Sequence, residues 1–311
     1  MSIVKKSRTV LMVLALLSLS ACSDSDPGGK DTVTLVSPAW ANGKANTAVA
    51  AYLLEQELGY DVEVLELDEA EAWKALGDGR ADAILEDWGH PAEEKKYVQG
   101  KKTVVPGGDL GVTGRIGWYV PQYLADKHKD ITSWHNLNDY ADLLATPGTG
   151  GKGRLLEGSR SFVTHDEALI RNLNLDYKAV FLGSEGAQIK EMRKRADKKE
   201  PFLTYWWRPH WIETEVPLAE VLLPTYTTGC ADNEKMIKCG YPTTKLQKFF
   251  NAEFAKDGGK AHKFLKNFTW QEDDQNAVAK MIVKERLSER AAAKRWVEQP
   301  PQTWRTWFMG I

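Results

Sequence analysis

The sequence predicts an α/β fold built on a parallel, doubly wound sheet. Two observations point to it: β-branched runs alternate with helical periods in the first part of the chain, and glycines stop the helices between them. A third observation, the placement of the tryptophans, bears on function. Residues 32–37 (TVTLVS) form a short β-branched run. Residues 46–58 then place Ala48, Ala51, Leu54 and Leu58 at helical spacing, with Gly59 as a stop. Residues 62–67 read as a second strand, 69–76 as a helix ended by Gly77, and 81–85 as a third strand. This βαβαβ order requires right-handed crossovers and hence a parallel sheet. Further on, 114–120 and 201–205 read as strands, and 164–173, 184–197 and 243–254 as helices. Thr164 and Glu167 have the spacing of a capping box. Residues 276–296 read as one long helix with Ala279, Ile282, Val283, Leu287 and Ala291 on one side.

A chain of 311 residues is long enough for two lobes with separate cores. With 42% apolar and 27% charged residues, disorder is excluded. A net charge of −2 argues against a nucleic-acid binder, which needs a basic face. Lys5, Lys6 and Arg8 precede an apolar run at 10–17, too short to cross a bilayer, and then Leu19, Ser20, Ala21 and Cys22. This is the pattern of an export signal, and its last four residues resemble the bacterial lipobox. Residues 1–21 are therefore expected to be a signal peptide, Cys22 the lipidated N-terminus and 22–30 a flexible tether. The mature protein would be extracytoplasmic, lipid-anchored to the bacterial cell membrane. In that compartment Cys230 and Cys239 are expected to pair as a disulfide. No CxxC unit or His at ligand spacing supports a metal site, and no cofactor is expected.

Tryptophan occurs 12 times, and several cases fall where predicted strands end. Trp40 lies three residues past the first strand, Trp88 follows the third, and Trp206 and Trp207 follow the strand at 201–205. In open α/β sheets, ligands bind beyond the carboxyl ends of strands. Any one of these rings is most simply a packing residue. All of them together are less easily so, because strand-to-helix loops favour small polar residues. Trp73, Trp134, Trp270, Trp296, Trp304 and Trp307 fall in helical or tail segments and read as packing.

Several indole faces at one crevice suit a quaternary ammonium ion. Such a head has no N–H to donate, its methyl groups gain from apolar contact, and its diffuse charge is drawn to the negative ring faces. Each contact contributes about 0.5–2 kcal/mol. A zwitterionic ligand needs a second anchor for its carboxylate. His210, three residues after Trp207, offers one donor, and the segment 158–162 ahead of the capped helix offers backbone N–H groups. Strand alternation admits either Trp206 or Trp207 as the ring facing the ligand.

The runs SPAW, GWYVPQY and YWWRPHW, with the Trp88 loop between them, resemble the substrate-binding proteins of glycine betaine/choline ABC importers over essentially the whole mature chain. The resemblance implies a type II periplasmic-binding-protein fold, two α/β lobes joined by a two-connection hinge. Lobe one is expected over 31–115 and 225–311, and lobe two over 116–224. It implies a tryptophan prism at Trp40, Trp88 and Trp207, with His210 as the carboxylate-binding histidine and Trp118 bordering the pocket or the crossover. Choline-binding members carry an acidic residue two positions after the first cage tryptophan. Asn42 stands there instead, which disfavours choline. Members with an extra aromatic in the second lobe have it near 159–162, where Phe162 is available. The expected partners are a small quaternary ammonium ligand, the permease of an ABC importer, and the membrane through the lipid anchor. The sequence admits glycine betaine, proline betaine, carnitine, choline or a sulfonium analogue.

Two other classes compete. An exported hydrolase would need a nucleophile, and the chain has no GxSxG. PGTGGKGR lacks the Ser or Thr after the lysine of a P-loop. Asp87, His90 and His210 have no diagnostic metal spacing. An exported carbohydrate-binding lipoprotein would also display tryptophan, but needs polar side chains beside each ring for the hydroxyls.

Overall fold

In the computed structural model, residues 32–233 and 235–311 are described. The expected signal peptide, Cys22 and the tether lie outside the described residues. The strands are β1 (Thr32–Ser37), β2 (Asp61–Glu66), β3 (Ala83–Asp87), β4 (Val104–Pro121), β5 (Gly153–Glu157), β6 (Tyr177–Phe181), β7 (Leu203–Arg208), β8 (Leu218–Val221) and β9 (Thr243–Asn251). The longer α-helices are α1 (Ala41–Glu57), α2 (Glu69–Gly77), α3 (Asp166–Asn172), α4 (Glu185–Asp197), α5 (Gly259–Asn267), α6 (Glu272–Val283) and α7 (Glu289–Glu298).

The strands run in the order β2-β1-β3-β9-β4-β7-β5-β6, with β8 beside β4. The first βαβαβ unit has the predicted parallel pairing of β1 with β2 and β3. A second parallel set, β7-β5-β6, sits at the other end of the sheet. Between them, antiparallel β9 and β4 are the bridge. Residues Val104 to Arg115 of β4 pair with β9, and Arg115 to Tyr119 pair with β7. One strand is thus common to both halves. Its register against β9 shifts between Pro106 and Gly108 and again between Asp109 and Thr113, irregularities that bend a strand.

Three corrections to the sequence reading follow from tertiary pairing. Residues 243–254, expected to be a helix, are strand β9 followed by the short helix Ala252–Asp257. Leu246, Phe249 and Phe250 have helical spacing, but the chain here is fixed by ladders on both sides, to β3 and β4. The long helix expected at 276–296 is two helices, α6 and α7. Arg286 sits in the left-handed region at φ 58°, and Ser288 starts a new helix by accepting from the Ala291 N–H. Thr164 and Glu167 form no capping box: His165 is the N-cap of α3, and Thr164 Oγ1 accepts from the Asp166 N–H at 3.4 Å and donates to Glu157 at 3.3 Å.

Buried apolar residues form one cluster that joins both halves, from Leu35 and Leu53 to Leu156 and Trp207. A second cluster underlies the β4/β5/β7 end and a third packs Trp73 on Phe249. Among the described residues, no helix is long and apolar enough to cross a membrane. Cys230 and Cys239, nine residues apart, are joined in a disulfide. Closing so short a loop restricts the unfolded chain, so the Cys230→Ser/Cys239→Ser double variant is expected to lose about 2–3 kcal/mol of stability. Urea unfolding followed by circular dichroism measures this, and a change under 0.5 kcal/mol or so would show that the loop is not fixed in this way.

Candidate functional site

A small cavity, continuous with open solvent, opens where the two halves of the sheet meet. Its walls are Trp40, Glu69, Trp88, Ile116, Phe162, Val163, Tyr205 and Trp207. Each element delivers its ring for a local reason. Trp40 is the N-cap of α1, in extended conformation at the turn out of β1. Trp88 directly follows β3, where Asp87 fixes the exit by accepting from the Gly89 N–H and pairing with the His90 ring. Trp207 belongs to β7, which runs further than the sequence suggested. Phe162 sits in the loop between β5 and α3.

One buried carboxylate, Glu86 on β3, orients two of these rings. Its Oε1 accepts from Trp40 Nε1 at 2.6 Å and from Trp88 Nε1 at 2.8 Å. Its Oε2 accepts from Asn46 at 2.6 Å and from Gln275 at 2.7 Å. Burial pushes the Glu86 carboxyl up, and the four side-chain donors pull it back down. A cation held in front of the indoles favours the ionised form, and the ionised form polarises the indole N–H groups and makes the ring faces more attractive to that cation. Phe162 completes the enclosure edge-on, with its centroid 6.1 Å from Trp40 and 5.5 Å from Trp207. Glycines make room for these rings. A Cβ on Gly114 of β4 would lie 2.7 Å from Trp88 Cη2, and one on Gly158 would lie 2.7 Å from Phe162 Cε2.

The structure brings together Trp40, Trp88, Phe162 and Trp207 of the residues singled out from the sequence. It answers the register question for β7: Trp207 is on the cavity, and Trp206 is fully buried and stacked beneath it at 4.4 Å. Trp118 is buried in the second cluster, away from the cavity. Asn42 is buried too, donating to Gln275 and Asn276 at 3.0 Å. His210, expected to donate to a ligand carboxylate, has both ring nitrogens engaged. Nδ1 accepts from the Ile212 N–H at 3.1 Å, which leaves Nε2 as the donor to Glu185 Oε1 at 2.7 Å.

Glu69, Tyr205, Ile116 and Val163 were not singled out from the sequence. Glu69 is the first residue of α2, whose N-cap is Asp68. It also borders a second small cavity, behind Trp40 and beside Trp73, Glu86 and Asp87. His90 Nε2 lies 3.6 Å from Glu69 Oε1. Burial pushes the Glu69 carboxyl up to about 8, against the His90 charge and with the help of Asp87, Glu86 and Asp68. Burial opposes the charge on His90, but the hydrogen bond and charge of Asp87, with Glu69 and Glu93, raise it to about 9. The phenol of Tyr205 is pushed well above its usual range by burial and donates to Val163 O at 2.8 Å. Among the described residues the wall holds three indoles and a phenyl ring and no Lys, Arg or His, a lining that suits a positive, methylated head.

Comparison with known proteins agrees with this geometry. The chain is 23% identical over 310 residues to a trimethylamine N-oxide-binding protein of Pelagibacter ubique (strain HTCC1062), covering 96% of each chain. Among solved structures, it is similar to an ABC-transporter choline binding protein in complex with choline, with a TM-score of 0.72, 18% identity and coverage of 90% of this chain and 92% of that one. It is also similar to lactococcal OpuAC in its closed-liganded conformation complexed with glycine betaine, with a TM-score of 0.69, 21% identity and coverage of 90% and 100%. The fold is therefore that of the periplasmic binding proteins. Residues 31–299 match the substrate-binding domain of ABC-type glycine betaine transport systems, and the chain belongs to that family.

Proposed function

We propose that this chain is the extracytoplasmic receptor of an ABC importer and that its ligand is a small trimethylated ammonium compound of the glycine betaine, choline or amine N-oxide type. The observation that carries the reading is the meeting of Trp40, Trp88, Phe162 and Trp207 around one cavity between the halves of the sheet. These rings come from β1, β3, β7 and the loop after β5, so each half contributes walls. The halves correspond to the two lobes, β4 and β9 to the hinge strands, and a ligand in the cage would hold the lobes closed. The closed form is the state a permease partner would distinguish. Family membership and the two ligand-bound neighbours support this reading over a sugar binder. The walls support it too, because among the described residues they hold no Asn, Gln or Arg that would meet sugar hydroxyls. Cys22 is the proposed lipid attachment point, by which the receptor would stay at the membrane beside its permease.

Titration of the purified mature chain with tetramethylammonium, choline, glycine betaine and trimethylamine N-oxide, read by tryptophan fluorescence against a sugar panel, tests the class. Binding of the sugars alone would overturn it. Trp207→Ala is expected to weaken the tightest of these ligands by about 1 kcal/mol or more, roughly fivefold. Unchanged affinity in a folded variant would remove Trp207 from the cage. Gly114→Ala should act on binding through Trp88 alone: overpacking of about 1–3 kcal/mol displaces the ring and lowers affinity about tenfold. Isothermal titration on the variant, with circular dichroism as the folding control, reads this out. In bacteria expressing the full chain, incorporation of labelled fatty acid should disappear in Cys22→Ala, and persistence of the label would place the anchor elsewhere.

A further inference from the structure

Phe162, the phenyl wall of the cavity, lies in the loop 158–165, and an acid stands at each end of that loop. Glu157 ends β5, Asp166 begins α3, and both are buried. Their side chains are hydrogen-bonded to each other. Among the described residues no N–H or hydroxyl reaches Glu157 Oε2 or Asp166 Oδ2. Two carboxyl groups can bond in this way only through a shared proton. Burial, and after it the charge of Asp166, holds the Glu157 carboxyl well above the usual carboxylate range, so that proton is present.

Two tyrosines fix the backbone near the end of the loop. Tyr205 of β7 donates to Val163 O at 2.8 Å. The Tyr241 hydroxyl accepts from the His165 N–H at 3.0 Å and donates to Asp166 Oδ1 at 2.6 Å. The Tyr241 ring also stacks on that of His165, with centroids 4.1 Å apart. Tyr241 stands between the disulfide residue Cys239 and Thr243, the first residue of β9. The loop closed by the disulfide seats on the same segment: His165 Nε2 donates to Cys239 O at 3.2 Å, and Asn172 of α3 donates to Ile237 O at 2.7 Å. Tyr241, Glu157 and Asp166 are not on the cavity wall, so any effect they have on a ligand passes through the loop.

We infer that Tyr241 and the carboxyl pair of Glu157 and Asp166 are positioning residues for Phe162: they fix the loop that carries it and so set where the phenyl wall of the cage stands. The inference rests on the aromatic-cage reading above and deepens it. A loose loop would hold Phe162 edge-on to Trp40 and Trp207 only part of the time, and ordering it would cost affinity at each binding event. The hydrogen bonds at Val163, His165 and Asp166 order it beforehand.

Isothermal titration of the purified mature chain with tetramethylammonium tests this in a double-variant cycle. Phe162→Ala removes the wall, and Tyr241→Phe removes only a hydroxyl. Each alone is expected to weaken binding about fivefold. Because Tyr241 acts through Phe162, Tyr241→Phe should cost less than about twofold once Phe162→Ala is in place. Gly114→Ala, which acts through Trp88, is the control, and its loss should multiply with that of Tyr241→Phe. Glu157→Ala should also weaken binding about fivefold, and Glu157→Gln, whose amide donates to Asp166, should restore most of that loss. Circular dichroism checks the fold of each variant, and Glu157→Ala takes the place of Tyr241→Phe in the cycle if the latter does not fold. Unchanged affinity in folded Tyr241→Phe, an equal loss with and without the Phe162 side chain, or failure to multiply with Gly114→Ala overturns this inference while leaving the cage intact. A wild type that does not bind tetramethylammonium overturns the cage and this inference with it.

Discussion

The site depends on two indole N–H groups sharing one carboxylate oxygen. Trp40 and Trp88 come from the ends of separate strands, and Glu86 draws both nitrogens to Oε1. With their N–H groups held there, the rings have little freedom left where they line the cavity. The cost of burying that carboxylate is offset by four donors, a compensation that buried ionisable groups require. Asn46 and Gln275 extend the network to Trp270, whose Nε1 donates to Asn46 at 2.9 Å. Helix α6 is tied in this way to the β1/β3 end of the sheet, and a change in either would be felt at the cage.

Geometry and electrostatics act together here. Aromatic faces attract a cation weakly in water and more strongly when desolvated. The cage rings are nearly buried, with exposures of 5% for Trp40, 8% for Trp88, 8% for Phe162 and 5% for Trp207. An acidic group behind two of them adds a favourable field without offering the onium head a hydrogen bond it cannot make. Glycines at 114 and 158 let the backbone come close enough for the rings to seat.

Much of this was legible in the sequence, for physical reasons that differ by residue. Trp40 and Trp88 follow short strands with clear β-branched signals, and the rule that ligands bind at strand carboxyl ends points to a crevice beside them, where a cavity lies. Trp207 could be placed at the crevice but not told apart from Trp206, because a strand's two faces are equivalent until its neighbours are known. Glu86 was not singled out from the sequence, since three of its four partners, Trp40, Asn46 and Gln275, lie 40 or more residues away along the chain. The spacing of His210 from Trp207 was visible, but not that Glu185, 25 residues earlier, takes its proton. Residues 243–254 read as a helix because Leu246, Phe249 and Phe250 have helical spacing, which in β9 arises from apolar contact on both faces of the strand, and only long-range pairing decides between the two.

Glu185 belongs to α4 and its Oε2 accepts from the Ala41 N–H of α1 at 2.9 Å, so this contact also fastens one half of the molecule to the other. The two halves are thereby joined by a buried hydrogen bond that belongs to the chain itself, in addition to the ladders of β4 and β9.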